Sequence, residues 1–84
     1  MENYMLTSYH VEDGKQEGYK VLGRYSSERE AKAEMAVCSM ATKLVVERLK
    51  GYELVSYKIH ENSTTLSLNR HGKNRVVVWE ICKH

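Results

Sequence analysis

The feature that most constrains the fold is a single stretch of helical periodicity, flanked on both sides by runs that alternate in polarity. Ser27 and Glu30 have the spacing of a capping box, and Gly51 stands where a helix commonly ends in a left-handed residue. The stretch between them predicts one helix over residues 28–50. Because the chain has only 84 residues, this helix leaves room for one small domain, residues 1–84, completed by a sheet.

The apolar residues of this helix predict which of its faces meets the sheet. One broad stripe recurs at helical spacing and is expected to be buried. It consists of Ala33, Val37, Met40, Ala41, Leu44 and Val45. Met35 and Val46 fall beside the stripe, where we expect them to make edge contacts or to border a partner site.

Five runs predict strands, because they are rich in β-branched and aromatic residues or alternate in polarity. They cover residues 4–11, 19–25, 52–60, 64–70 and 75–82. Residues 12–18 are polar and predict a loose turn. The order ββαβββ predicts an α+β fold of two layers, with the amphipathic helix packed on one face of an antiparallel sheet of about five strands.

Alternation within the strands predicts two sheet faces. The helix-facing residues are expected to be Val55, Tyr57, Ile59, Leu66, Leu68, Val77, Trp79 and Ile81. No second helix is available for the opposite face, which is predicted to carry Tyr52, Leu54, Val76 and Val78. These four are the candidate protein-binding residues, since an uncovered apolar face marks a contact surface. The alternative is that they are scattered among polar residues on an ordinary solvated face.

The densest positive segment is the predicted hairpin tip over residues 70–75. Its candidate nucleic-acid-binding residues are Arg70, Lys73, Asn74 and Arg75, because a basic β-ribbon can enter a groove and reach phosphates and base edges. The net charge of +2 gives weak support to this interpretation. The alternative is that the tip is charged because hairpin tips are solvated.

The sequence lacks a constellation typical of an enzyme. Its histidines and cysteines do not have zinc-ligand spacing, and its glycines are isolated rather than grouped in a phosphate-binding loop. We therefore expect no catalytic residue, no metal, no cofactor and no small-molecule substrate. Cys38 and Cys82 are expected to remain unbridged, because the predicted parity places them on opposite sides of the sheet.

The function predicted from these features is that of a small non-enzymatic interaction module. It is expected to bind another protein or itself, as a homodimer through the open sheet face. The alternative is a nucleic-acid-binding accessory protein that uses the hairpin 70–75. No apolar run approaches a membrane span and no signal segment is recognised, so a cytoplasmic location without a membrane partner is expected.

Overall fold

The computed structural model of the chain describes residues 3–83, which form five strands and one helix. Strands β1 (Tyr4–Glu12) and β2 (Lys15–Tyr25) precede helix α1 (Glu28–Arg48). Strands β3 (Tyr52–Ile59), β4 (Ser63–Arg70) and β5 (Lys73–Lys83) follow it. The strands form one antiparallel sheet in the order β2-β1-β5-β4-β3, and α1 packs on one of its faces. The predicted α+β fold and its ββαβββ order are confirmed.

Two hairpins close through two-residue turns. Asp13 (φ 54°) and Gly14 (φ 75°) join β1 to β2, while His71 (φ 50°) and Gly72 (φ 85°) join β4 to β5. Positive φ at both central residues is the requirement of a type I′ turn, whose twist matches that of the flanking strands. The loose turn predicted over residues 12–18 is therefore wrong, and β2 begins earlier than expected.

Strand β5 lies at the centre of the sheet, between β4 and β1. The first and last strands therefore pair along their whole length, with Tyr4 opposite Lys83 and Glu12 opposite Arg75. This pairing sets the β1–β2 turn beside the β4–β5 turn at one end of the molecule.

The hydrophobic core lies between α1 and the sheet. Its buried residues are Leu6, Ala31, Met35, Val46, Leu66, Leu68 and Trp79. The helix-facing positions predicted in β4 and β5 are confirmed, because Leu66 and Leu68 are buried and Val77 and Ile81 pack against the same cluster as Trp79.

Helix α1 presents the opposite side from the one predicted. Its buried residues are Ala31, Met35, Ser39 and Val46. Ala31 and Ser39 have no exposed surface, so these small side chains allow the helix to approach the sheet closely. The Ser39 hydroxyl is satisfied there, since its Oγ lies 2.7 Å from the Tyr57 Oη. A buried hydroxyl with a partner costs little, whereas hydropathy alone assigns serine to the surface.

Strand β3 carries a bulge that reverses its alternation. Leu54 pairs with Leu68 but Ser56 pairs with Ser67, so Val55 is an extra residue in this strand. One inserted residue turns every later side chain to the other face.

The bulge explains why three positions predicted in β3 are wrong. Tyr52 and Leu54, before the bulge, and Tyr57, after it, all pack against the core on the helix side. The placement of Tyr52 and Leu54 on the open sheet face is therefore wrong. Val55 was expected under the helix, yet it is the bulged residue and is 55% exposed. Ile59 lies on the predicted side, opposite Thr64, but is 71% exposed at the end of the strand.

Candidate functional site

The largest exposed apolar surface found on the helix is the face that points away from the sheet. We call it the outer helix stripe, and it consists of Ala33, Val37, Met40, Ala41, Leu44 and Val45. Its four large side chains are more than half exposed: Val37 is 64% exposed, Met40 55%, Leu44 53% and Val45 53%. These residues are neighbours because they recur at spacings of three and four along one helix.

The stripe continues into a cleft at the side of the helix. This helix–β5 cleft has a volume of about 350 Å³ and lies between the C-terminal half of α1 and the sheet. Ala41 and Val45 of the stripe form one wall, and Val77 of β5 and Leu49 contribute further apolar surface. The exposed apolar surface therefore extends from the crest of the helix down to the sheet.

A second cleft adjoins the first and lies over β1, β2 and β5. This helix–β1 cleft has a volume of about 470 Å³, and its lining includes His10, Lys20, Cys38, Thr42 and Trp79. The Cys38 thiol in this cleft is not an activated nucleophile. Burial raises the pKa of Cys38 above its ordinary value, and the nearby Glu34 raises it further. The charge of Lys20 opposes this shift but does not reverse it.

Charged side chains lie beside the outer helix stripe and at its two ends. Five turns of an α-helix take about 18 residues, so Arg29 and Glu47 lie in line along one border, whereas Glu30 and Arg48 lie in line between Val37 and Ala41, at the two ends of the stripe itself. All four residues are exposed. Glu47 forms an ion pair of 3.4 Å with Lys43, whereas Arg29, Glu30 and Arg48 form none within residues 3–83.

The open sheet face is less exposed than the stripe. Val76 and Val78 lie on it as predicted, opposite Val11 and Tyr9 of β1, but each is only partly exposed. The Tyr9 hydroxyl donates a hydrogen bond of 2.6 Å to Glu80 across this face. The face thus combines small apolar side chains with satisfied polar groups.

The basic hairpin tip is paired with the acidic turn beside it. The Glu12 carboxylate accepts a hydrogen bond of 3.2 Å from Arg75 Nε and lies 3.7 Å from Arg70 Nη2. Asp13 Oδ2 lies 3.8 Å from Lys73 Nζ. The structure therefore brings all three candidate cations together, but it does so against two carboxylates.

Asn74, the fourth residue of that candidate site, is held by its own hairpin. Its side-chain amide donates to Ser67 Oγ at 3.1 Å and to the Leu68 carbonyl at 3.4 Å. Nucleic-acid binding by this tip stays a prediction, and these contacts give it no support.

The Glu12 ion pairs predict a pH-dependent contribution to stability. The hydrogen bond from Arg75 holds the pKa of Glu12 below its ordinary value of 4.5, aided by the charges of Arg75 and Arg70. A carboxyl whose pKa is lowered by folding stabilises the protein above its unfolded pKa and loses this contribution as the pH falls through the folded one. We expect Glu12→Gln to lower the thermal midpoint at pH 7 and to converge with the wild type in acid, once the pH has fallen through the lowered pKa of Glu12.

The matched control is Glu53→Gln, because Glu53 is an exposed strand glutamate that forms no ion pair within residues 3–83. Thermal unfolding followed by circular dichroism across this pH range would test the prediction. Equal midpoints for the wild type and Glu12→Gln at pH 7 would contradict it.

The cysteines occupy the opposite sides that the sequence predicts. Cys38 packs against the core, and Cys82 lies on the open sheet face opposite Met5. Both are free. In the described part of the chain, no three His, Cys, Asp or Glu side chains are grouped as metal ligands, and the helix is not long and apolar enough to cross a membrane.

The outer helix stripe is the candidate site that sequence reasoning misassigned, since it named the same residues as core. A signal for the correct face was present. Met35, Ser39, Thr42 and Val46 also recur at helical spacing. Comparison with known proteins adds no further assignment, because no family model, curated protein or solved structure matches the chain.

Proposed function

We propose that this protein is a small non-enzymatic interaction module that binds protein through the outer helix stripe. The observation that carries the proposal is the exposure of four large apolar side chains, Val37, Met40, Leu44 and Val45, on one helix face. Leaving such a group in water is unfavourable by about 25 cal/mol per Å² of apolar surface, and contiguous patches of this kind mark interaction sites.

The adjoining helix–β5 cleft supports a protein partner. A partner that covers the crest of the helix can also place side chains into the cleft beside Ala41 and Val45. An apolar centre with a rim of charged residues is the usual anatomy of a protein–protein interface. The exposed charges of Arg29 along one border, and of Glu30 and Arg48 at the two ends, supply part of such a rim.

Two other surfaces support binding less well. On the open sheet face, Val76 and Val78 are already partly covered by their neighbours. At the hairpin tip, the carboxylates of Glu12 and Asp13 offset the cations. The raised pKa of Cys38 disfavours the reactive thiolate, which argues against thiol catalysis at this residue.

Site-specific photo-crosslinking tests this proposal in the cells that produce the protein. A photoreactive phenylalanine analogue replaces Val37, which is 64% exposed at the centre of the stripe. The matched control replaces Val21 of β2, which is 45% exposed and lies opposite Thr7, on the open-face side of the sheet. We expect irradiation to join a protein, a second copy included, to the Val37 position and not to the Val21 position.

The result that would overturn the proposal is adduct formation at Val21 alone, or equal adducts at the two positions. Introducing Leu44→Lys together with the photoreactive residue at Val37 provides a second test. Leu44 is half exposed, so this change leaves the core intact and is expected to abolish the adduct. An unchanged adduct in that variant would show that the stripe is not the binding surface.

A further inference from the structure

We infer that the two clefts beside α1 form one binding site for a small amphipathic carboxylate, a free molecule with one anionic head and one apolar chain. The helix–β1 cleft receives the head, and the helix–β5 cleft receives the chain. This inference goes beyond the proposed function, because it assigns a ligand to the side of the helix and does not depend on a protein partner at its crest.

The clefts exist because one helix cannot cover five strands. An α-helix with its side chains is about 10–12 Å across and neighbouring strands lie about 4.8 Å apart, so one helix covers little more than two strands. Here α1 packs mostly over β3 and β4, with Ser39 bonded to Tyr57 of β3. The helix-facing side of β1 and β2 is therefore left partly open, and the helix forms a wall beside it.

The floor of the helix–β1 cleft presents polar side chains. Ser8 lies opposite both Trp79, which is buried in the core, and Lys20, so these three side chains point to the helix side of the sheet. His10 comes two residues after Ser8 in β1 and points the same way. A Cβ at Gly18 would lie 2.9 Å from His10 Cε1, so the imidazole packs directly on the Gly18 backbone. An ammonium, an imidazole and a hydroxyl thus line one cleft.

The charges around this lining favour an anion. Lys20 and His10 form no ion pair within residues 3–83, and in that range neither cleft has an aspartate or a glutamate in its lining. Glu34 of α1 and Glu17, opposite His10, lie outside the lining. Direct contact rather than a broad positive field therefore recognises the carboxylate. It accepts charge-assisted hydrogen bonds from the Lys20 ammonium and further bonds from His10 and Ser8.

The helix–β5 cleft supplies the apolar half of the site. Thr42 and Val77 line both clefts, so the two are continuous. Its charged lining residue, Arg75, is already paired with Glu12. The rest of the lining is mainly apolar and includes Ala41, Val45, Val46, Leu49 and Leu68.

The size and layout of the clefts select an amphipathic ligand. Their volumes of about 470 and 350 Å³ lie within the range of about 300–1,000 Å³ that is usual for ligand sites. One end is polar with an unpaired cation, and the other end is apolar. Because the lining comes from the helix and several strands, no local motif of the sequence predicts this site.

Titration of the purified full chain with octanoate, followed by backbone amide shifts, tests the inference. We expect saturable shifts at Lys20, Val45 and Val77, with a dissociation constant of about 1 mM or lower. Octanol has the same chain without the charge, and acetate has the charge without the chain. Each is expected to bind at least about tenfold more weakly than octanoate. Equal affinity for octanoate and octanol, or octanoate shifts confined to the open sheet face, would overturn the inference.

Lys20→Gln separates the head contact from the chain contact. Lys20 is exposed, so the variant is expected to keep its fold, to bind octanoate about tenfold more weakly and to bind octanol unchanged. The matched control is Lys58→Gln, because Lys58 is exposed on the open sheet face, opposite Thr65, and forms no ion pair within residues 3–83. Val45→Glu places a carboxylate in the wall of the apolar cleft and should weaken both ligands. Equal octanoate affinity in the two lysine variants would contradict the assigned head contact.

Vesicles of phosphatidylglycerol distinguish a free carboxylate from a lipid in a membrane, since both combine an anion with apolar chains. The two clefts lie beside the helix and below its crest, so we expect the protein to stay in the supernatant when the vesicles are sedimented. Cosedimentation that Lys20→Gln abolishes would overturn the assignment to a free ligand. Photo-crosslinking at Val37 tests the proposed function separately, so either conclusion can fail while the other stands.

Discussion

Met35→Ala is expected to lower the free energy of unfolding by about 2–5 kcal/mol, the range observed when a large buried side chain is truncated. Met35 is 3% exposed and packs in the core between α1 and the sheet. Truncation removes its contacts and leaves a cavity that the helix and sheet fill only in part. For a domain of 84 residues, such a loss is a large fraction of the total stability.

Met40→Ala provides a matched control on the same helix. Met40 is 55% exposed, so its truncation is expected to change the stability of the monomer by less than about 0.5 kcal/mol. Both substitutions are made in the Leu44→Lys background, because any self-association would otherwise link Met40 to the measured stability. Chemical denaturation followed by circular dichroism gives the two free energies. A larger loss for Met40→Ala than for Met35→Ala would show that the opposite face of α1 meets the sheet.

The helix face could not be predicted from hydropathy because both sides of α1 carry apolar residues. The exposed side holds Val37 and Leu44, whereas the buried side includes Ser39, whose hydroxyl bonds with Tyr57 of β3. Hydropathy ranks the first side as core. Knowing that Tyr57 supplies a partner for Ser39 requires the tertiary structure.

The elements themselves could be predicted, because their signals are local. The Ser27 side chain accepts a hydrogen bond from the Glu30 backbone N–H, as the capping-box spacing indicated. Alternation in β4 and β5 correctly placed Leu66 and Trp79 under the helix. A local pattern is sufficient wherever the strand is regular.

The surroundings of the candidate nucleic-acid site, in contrast, could not be predicted from a local pattern. Its cations are adjacent in sequence, but the carboxylates that pair with them come from Glu12 and Asp13, at the far end of the chain. These groups meet because β1 pairs with β5, a contact between distant segments that no local pattern encodes. The charge of a surface patch depends on such pairing as much as on its own residues.

Deletion of Val55 is expected to change the free energy of unfolding by less than about 1 kcal/mol, because this residue has no partner in β4 and its side chain is 55% exposed. The bulge at Val55 lets Leu54 and Tyr57 point to the same side of β3, although three positions separate them in sequence. Without Val55, Leu54 and Tyr57 are two positions apart, so regular alternation keeps both on the helix side of the sheet. Leu54 keeps its packing and Tyr57 keeps its contact with Ser39.

Val55→Ala separates the role of the backbone from that of the side chain. The Val55 side chain is 55% exposed, so this substitution keeps the bulge and should change stability by less than about 0.5 kcal/mol. Chemical denaturation compares both variants with the wild type in the Leu44→Lys background. We expect the two variants to have similar stability, because the deletion keeps the pairing of Leu54 with Leu68 and of Ser56 with Ser67. A loss of more than about 2 kcal/mol confined to the deletion would contradict this and would show that the core requires the local bend and twist that the bulge adds to β3.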